Sequence, residues 1–291
     1  MSSILTIAPT SAQPLTVNRL GYGTMRLTGP GIWGEPADRP QALEVLKTAV
    51  ANGVTFIDTA DYYGDDITNR LIAEALYPYN KDLVICTKVG ATRNPVDKSW
   101  PPFNRPEQLR QSIERNLRTL KQEAVQLVHF RVMPGAEVPF AESMGAMYDM
   151  QREGKIQHVG VSNVTPEELT AALGMGEVAS VENMYSYAQR TTMNDGHGET
   201  RGGEVLPLCE QHGIAFVPFF SLVHGLPNAG NKLAELAQQK GVTEAQLNIA
   251  WLLHKSPLLL PIPGTSSVAH LRENLAAADI ELSAEDMAYL G

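Results

Sequence analysis

Three side chains in the first third of the sequence have the types and spacing of a proton-transfer site. Asp58 opens the stretch Asp58-Thr-Ala-Asp-Tyr-Tyr63-Gly64, and Lys88 ends the next apolar run. Each follows a short β-like run, Val54 to Ile57 and Leu83 to Cys86. Both are therefore expected at the same end of neighbouring parallel strands, where α/β folds keep their chemistry. A lysine beside a tyrosine favours the phenolate and lowers the phenol's pKa, while a carboxylate on its far side keeps the lysine charged. The expected product is a Tyr63 that gives or takes a proton near neutral pH. The bland alternative is a buried structural ion pair beside a packing tyrosine. His129, ending Val125-Gln-Leu-Val-His129, reads on its own as a satisfied core histidine.

These residues need a scaffold that delivers strand ends to one place, and the rest of the chain has that pattern. Ile4 to Leu15 alternates weakly around Pro9 and suggests a hairpin; Val17 to Met25 reads as a first barrel strand, its glycines permitting close approach to the backbone. Strands are then expected at Thr55 to Asp58, Leu83 to Lys88, Val125 to His129, His158 to Ser162, Ser180 to Asn183, Ala215 to Phe219 and Leu259 to Ile262. Between them fall helical patterns: Pro40 to Ala51, Thr68 to Leu76, Pro106 to Leu120, Phe140 to Glu153, a helix starting at Thr165-Pro-Glu-Glu168, then Glu204 to His212, Asn231 to His254 and Val268 to Ala277. Eight alternations favour a closed (β/α)8 TIM barrel over an open doubly wound sheet. The open sheet would carry a glycine fingerprint after its first strand, and Gly174-Met-Gly176 instead leaves a helix and enters a strand, the wrong order for phosphate binding.

The chain has 291 residues, 43% of them hydrophobic, which suits residues 1–291 as a single barrel domain. Its 23 basic and 32 acidic residues give a net charge of −9, so a nucleic-acid or anionic-membrane partner gains no electrostatic support and a small-molecule partner fits better. Two cysteines, the lack of a signal-like start and the lack of a run of ~20 apolar residues point to a cytoplasmic protein. No metal site is expected: Asp195, His197 and Glu199 lie in a glycine-rich loop with no second histidine cluster and read as solvated.

The order Asp58, Tyr63, Lys88, His129 resembles the tetrad of the aldo-keto reductase family: an aspartate, a tyrosine five positions on, a lysine ending the next strand and a histidine ending the strand after. The resemblance continues through Gly160-Val-Ser162-Asn163 and Ile262-Pro-Gly-Thr265, spanning roughly Val17 to Asn274. It implies a hairpin plugging the barrel bottom, NADPH as hydride donor in preference to NADH, Tyr63 as general acid and His129 orienting the substrate oxygen. It implies further that Ser162, Asn163 and residue 182 bind the nicotinamide carboxamide and that Tyr185 stacks on the ring. At the other end it gives Gly264, Thr265, Ser266 and Ser267 to the phosphates, His270 and Arg272 with Ser266 and Ser267 to the 2′-phosphate, and Glu273 and Asn274 to the adenine. Glu182 departs from the family's usual glutamine; it can accept but not donate, and it adds negative charge beside a ring that becomes cationic on oxidation.

Within the family the chain resembles the bacterial branch that includes pyridoxal reductases. Trp33, Trp100, Phe130, Arg131 and Phe220 are the pocket candidates, suited to a flat aromatic aldehyde with polar substituents. The chain ends at Gly291, soon after the helix expected beyond Ser283, so a modest, open pocket is expected. Two other functions share these residues: a cofactor-bound regulatory module of the same fold, and a Schiff-base aldolase built on Lys88.

Overall fold

The structure is a computed structural model and describes residues 4–194, 199–222 and 231–291. It opens with a hairpin of β1 (Ile4–Ile7) and β2 (Leu15–Asn18), Ile4 opposite Asn18 and Ile7 opposite Leu15. Period-two alternation puts Leu5, Ile7, Leu15 and Val17 on one buried face, which packs with Phe56, Val84, Leu127 and Leu260. Phe56, Val84 and Leu127 precede Asp58, Lys88 and His129 on the inward faces of their strands, so the hairpin closes the barrel at the end opposite the chemistry. Val17 was expected in the first barrel strand and lies in this hairpin instead. The chain turns because Asn18 and Arg19 are anchored elsewhere: Asn18 N–H donates to Thr55 Oγ1 at 2.7 Å, and Arg19 donates to the carbonyls of Leu253 at 2.9 Å and Ser256 at 2.6 Å.

The first barrel strand is thereby shortened to β3 (Tyr22–Gly23). It is followed by α1 (Arg39–Ala51), β4 (Phe56–Asp58), α2 (Ile67–Leu76), β5 (Val84–Ala91) and the short β6 (Pro102–Phe103), which folds back antiparallel on β5. Next come α3 (Pro106–Leu120), β7 (Val125–Arg131), α4 (Phe140–Arg152), β8 (Ile156–Ser162), α5 (Pro166–Met175) and β9 (Ser180–Glu182). A small ribbon, β10 (Met193–Asn194) with β11 (Glu199–Thr200), leads to α6 (Leu206–His212) and β12 (Ala215–Phe216), and α7 (Asn231–Lys240), α8 (Glu244–Lys255), α9 (Val268–Ala276) and α10 (Ala284–Leu290) complete the chain. The strands β3, β4, β5, β7, β8, β9 and β12 are parallel neighbours in that order.

Closure comes from the segment around Leu259. Phe216 bridges Leu259, Leu260 N–H donates to Phe216 O at 2.9 Å, and Gly21 N–H donates to Pro261 O at 2.9 Å. This is the (β/α)8 ring that the alternation predicts. The outward residues Val128, Val159, Val161 and Val181 pack under Met144, Met147, Leu169 and Trp251 of the helices. Helix starts follow local chemistry: Thr165 Oγ1 accepts from Glu168 N–H at 3.1 Å while Glu168 Oε2 accepts from Thr165 N–H at 2.8 Å. Among the described residues no helix is long and apolar enough to cross a membrane.

Candidate active site

Strand parity sends Asp58, Lys88, His129 and Glu182 into the lumen at the C-terminal ends of β4, β5, β7 and β9, with Lys88 opposite His129 in register. Lys88 is 1% exposed and Asp58 3%. The Lys88 ammonium donates to both Asp58 oxygens at 2.6 Å and to Thr59 O at 3.2 Å, and stands 3.3 Å from Glu182 Oε1. Burial alone would lower Lys88, but the Asp58 and Glu182 carboxylates more than offset it and hold the group well above the ordinary lysine value. Burial and the Glu182 charge push Asp58 up; Glu182 is also opposed by burial, yet Lys88, His129 and Arg131 together draw it down. Two carboxylates share one close ammonium, so the second of them resists ionisation. Asp58, Cys86 and His129 also have metal-ligand proximity, but Lys88 already supplies the cation that Asp58 holds.

His129 stands inside this cluster. Its Nε2 is 2.7 Å from Ser180 Oγ and its Nδ1 3.2 Å from Cys86 Sγ and 3.0 Å from Glu182 Oε2. Room for the ring comes from β8, where a Cβ on Gly160 would lie 2.4 Å from the imidazole. With both ring nitrogens engaged in the lumen, His129 braces the ion cluster in this structure.

Tyr63 lies above the cluster, on the loop leaving β4, with Lys88 Nζ 5.0 Å from its ring centroid. Burial raises the phenol, Lys88 lowers it by less, and the balance is a pKa pushed up to about 12. The near-neutral phenol expected from sequence is thus corrected: desolvation outweighs the lysine because Asp58 and Glu182 oppose Lys88's effect.

Around Tyr63 the mouth is walled by aromatic rings and arginines. Tyr62 and Tyr63 pack edge-on to Trp100, with centroids 5.4 Å and 6.3 Å away. The Arg93 guanidinium lies 4.2 Å from the Trp100 ring and 5.4 Å from the Trp33 ring, and donates to the carbonyls of Ile32 at 2.6 Å and Lys98 at 3.0 Å. It therefore fastens the loops that carry Trp33 and Trp100 to each other. Opposite, Arg131 stands 5.3 Å from the Phe219 ring and reaches Ser162 Oγ at 3.4 Å.

Two pocket residues and two cofactor residues sit elsewhere than expected. Phe130 alternates with His129 and so faces the helices, buried against Phe140 at 5.9 Å. Phe220 is 49% exposed and turned outward at a positive φ of 54°. Tyr185 is buried in the outer layer against Trp251 and Phe216, away from the lumen, and so does not present a ring to a nicotinamide. The amide of Asn163 is spent on backbone: Nδ2 donates to Val132 O at 2.9 Å and Oδ1 accepts from Arg201 N–H at 2.8 Å, which ties the segment after β11 to β8.

At the last strand end, Tyr22 donates its hydroxyl to Thr265 O at 2.6 Å and Gln41 donates to Ser266 O at 2.8 Å, fixing the turn through Gly264, Thr265, Ser266 and Ser267. What approaches Gly264 closely is backbone, since a Cβ there would lie 2.6 Å from Gly23 O. Ser267 caps α9, accepting from His270 N–H at 3.4 Å, and the first-turn amides of Val268 and Ala269 have no intrahelical acceptor. Such an end favours phosphate. His270 and Arg272 are exposed on this helix. Asn274 Nδ2 and Glu182 Oε2 are buried without hydrogen-bond partners, one near each end of the expected dinucleotide path, so the residues present fit such a group. Glu273, on the same helix, accepts from Thr243 Oγ1 at 2.9 Å through one carboxylate oxygen, across to the start of α8.

The family model described as Aldo/keto reductase family matches residues 19–291. The chain belongs to the aldo-keto reductase family. It is 43% identical over 280 residues to pyridoxine 4-dehydrogenase of Escherichia coli (strain K12), covering 94% of each chain. It is 39% identical over 278 residues to an uncharacterized oxidoreductase of Schizosaccharomyces pombe, covering 95% of this chain and 86% of that one. Among solved structures it is similar to a thermostable aldo-keto reductase in complex with the inhibitor epalrestat, with a TM-score of 0.81 and 31% identity over 99% of this chain and 98% of that chain. An aldo/keto reductase from Klebsiella pneumoniae, in complex with NADP and acetate, gives 0.78 at 25% identity over 100% and 94%.

Several residues of this reductase's site escaped the sequence reading. Phe219 had a signal, since Ala215, Val217 and Phe219 alternate toward the lumen. Ser180 shares the inward parity of Glu182 in its strand, whereas Arg93 had no signal, because it acts through contacts distant in sequence. Asp195 and His197 lie outside the described residues; Glu199 pairs with Arg201 at 2.6 Å.

Beneath the Tyr63 loop is a cavity of about 150 Å³ lined by Asp61, Tyr62, Arg93, Ser112 and Arg115. Asp61 Oδ1 is buried there without a partner, and burial, only partly offset by Arg115, pushes its carboxyl up to about 7. The folded state thus keeps a proton that the unfolded chain releases near pH ~4, so this group's stabilising contribution is complete below that pH and lost as pH rises through about 7. Asp61→Asn, which has no charge to desolvate, is expected to raise Tm by several degrees near pH 8 and by much less near pH 4. A Tm difference independent of pH would reject the assignment.

Proposed function

We propose that the protein reduces an aldehyde or ketone to an alcohol with NADPH, Tyr63 supplying the proton. The observation that carries this reading is the buried Asp58–Lys88 pair beneath the Tyr63 ring, at the C-terminal end of the barrel strands. Bound along Ser162, Glu182, the turn from Gly264 to Ser267, and Asn274, the nicotinamide cofactor supplies the hydride. Tyr63 gives its proton to the carbonyl oxygen as negative charge develops there. Lys88 stabilises the phenolate left behind, and Asp58 keeps Lys88 charged and in place. A phenol pushed up to about 12 stays protonated across the neutral range, which suits reduction more than oxidation. His270 and Arg272, exposed beside the Ser267 cap, favour the 2′-phosphate of NADPH over NADH.

The aromatic and cationic wall of Trp33, Arg93, Trp100, Phe219 and Arg131 suits a flat aromatic aldehyde with polar substituents. Similarity to a pyridoxine 4-dehydrogenase supports pyridoxal as that aldehyde. The buried free thiols Cys86 and Cys209 fit a reducing cytoplasm. An aldolase needs a neutral Lys88 amine, whereas both carboxylates keep it charged.

The deciding measurement is kcat/KM, with NADPH and with NADH, for pyridoxal, a nitrobenzaldehyde, a short aliphatic aldehyde and a bulky ketone. Aromatic aldehydes with NADPH are expected to lead. Pyridoxal no better than the aliphatic aldehyde would remove the aromatic-pocket reading. No turnover of any carbonyl, with the dinucleotide bound, would favour a regulatory module.

A further inference from the structure

Glu182 is a carboxylate in an unusual place. It is 1% exposed, 3.3 Å from the Lys88 ammonium and 3.0 Å from His129 Nδ1, and its Oε2 is within ion-pair range of that nitrogen yet forms no hydrogen bond. The charged and titratable groups around it come from three strands and one loop: Asp58 from β4, Cys86 and Lys88 from β5, His129 and Arg131 from β7, and the phenols of Tyr62 and Tyr63. Asp58 is committed to Lys88 through both oxygens, so Glu182 is the carboxylate left to face the lumen. Its ionised form is favoured despite burial because Lys88, His129 and Arg131 converge on it. Without it, Lys88 and Arg131 would leave the end of the barrel that meets the nicotinamide more cationic.

We infer that Glu182 sets the preference of this site between the oxidised and the reduced nicotinamide, stabilising the cationic oxidised ring and so making the bound cofactor a stronger hydride donor. The inference rests on the reading above that a nicotinamide binds here. The distance follows from the chemistry. A carbonyl oxygen must come within about 3 Å of the Tyr63 hydroxyl to receive its proton, and the hydride-donating carbon must stand about 3–3.5 Å from the carbonyl carbon. Tyr63 is 5.0 Å from Lys88 by its ring centroid, and Lys88 is 3.3 Å from Glu182. The nicotinamide ring is thereby placed over the same strand ends as Glu182, and at a separation of about 10 Å one unit charge at an effective dielectric of ~20 changes the affinity ratio of a cation and its neutral form by about tenfold. Glu182 is a positioning residue in this sense: it touches Lys88 and His129, and acts on the cofactor through the field it sets.

The test is equilibrium titration of the full chain with NADP⁺ and with NADPH, followed by quenching of tryptophan fluorescence, for the wild type, Glu182→Gln and Glu182→Asp. Glu182→Gln keeps the shape and removes the charge; titrated in alkaline buffer, where Asp58 is ionised in both proteins and cannot take up the lost charge, the ratio Kd(NADP⁺)/Kd(NADPH) is expected to rise about tenfold, mostly through weaker NADP⁺ binding. Glu182→Asp keeps the charge and should hold the ratio near that of the wild type. A ratio unchanged in a folded Glu182→Gln protein overturns the inference and leaves the reductase reading standing. A ratio that rises equally in Glu182→Asp also overturns it, because shape rather than charge would then be responsible. A wild type that binds neither dinucleotide sinks both.

Discussion

Replacing Tyr63 with phenylalanine is expected to lower kcat for aldehyde reduction by about 10²- to 10⁴-fold while leaving the dissociation constant of NADPH nearly unchanged. The variant removes one hydroxyl and keeps the ring that packs edge-on to Tyr62 at 5.3 Å and to Trp100 at 6.3 Å, so the aromatic wall should persist. What disappears is a proton donor that burial holds protonated, with a pKa pushed up to about 12. The sign of that shift predicts an asymmetry between directions. Reduction needs the phenol and should vary little with the ionisation of Tyr63 across the neutral range. Alcohol oxidation needs the phenolate and should quicken as pH rises toward the raised pKa. Pre-steady-state hydride transfer, read from NADPH absorbance in both directions and in both proteins, checks this. Wild-type kcat in Tyr63→Phe would show that Tyr63 is not the donor.

Lys88→Met should abolish most of the reduction and also destabilise the fold, and the two losses can be separated. The side chain is buried and holds both oxygens of Asp58 at 2.6 Å. Removing the ammonium leaves Asp58 and Glu182 facing each other in the lumen without their shared cation, and breaking a buried pair in this way costs about 3–5 kcal/mol. Part of that penalty is relieved by protonation of one carboxyl, so the loss should be greater at high pH than at low pH. The double variant Asp58→Asn with Lys88→Met removes one of the stranded charges. It is expected to recover much of the stability, measured by urea unfolding, and none of the activity. If activity returns together with stability, Lys88 serves only to hold the barrel together and the proton-transfer assignment is lost.

The sequence by itself determined the alternation of strands and helices and the delivery of Asp58, Lys88 and His129 to strand ends, while the place of the hairpin beneath the barrel came from the family resemblance. These are local properties: each polar residue follows a short apolar run, and the helices carry their own caps, as at Thr165 with Glu168. Family membership was legible for the same reason, since the motif residues keep a fixed order along the chain. Strand parity was also present in the sequence, and applied to Phe130 and Phe219 it would have exchanged them: Phe130 alternates with the inward His129, whereas Phe219 is in phase with the inward Val217.

Only the tertiary structure decided which way the field in the lumen points. That Glu182 comes 3.3 Å from Lys88 and 3.0 Å from His129 depends on how β5, β7 and β9 curve round the ring, which no spacing along the chain encodes. The same holds for Arg93, which fastens two loops through carbonyls, and for Asn163, whose amide is consumed by backbone groups brought in by the fold. Tyr63 shows the principle most directly. A lysine nearby predicts a lowered phenol pKa, but the sign of the shift depends on desolvation and on every other charge within reach, and closing the barrel fixes both.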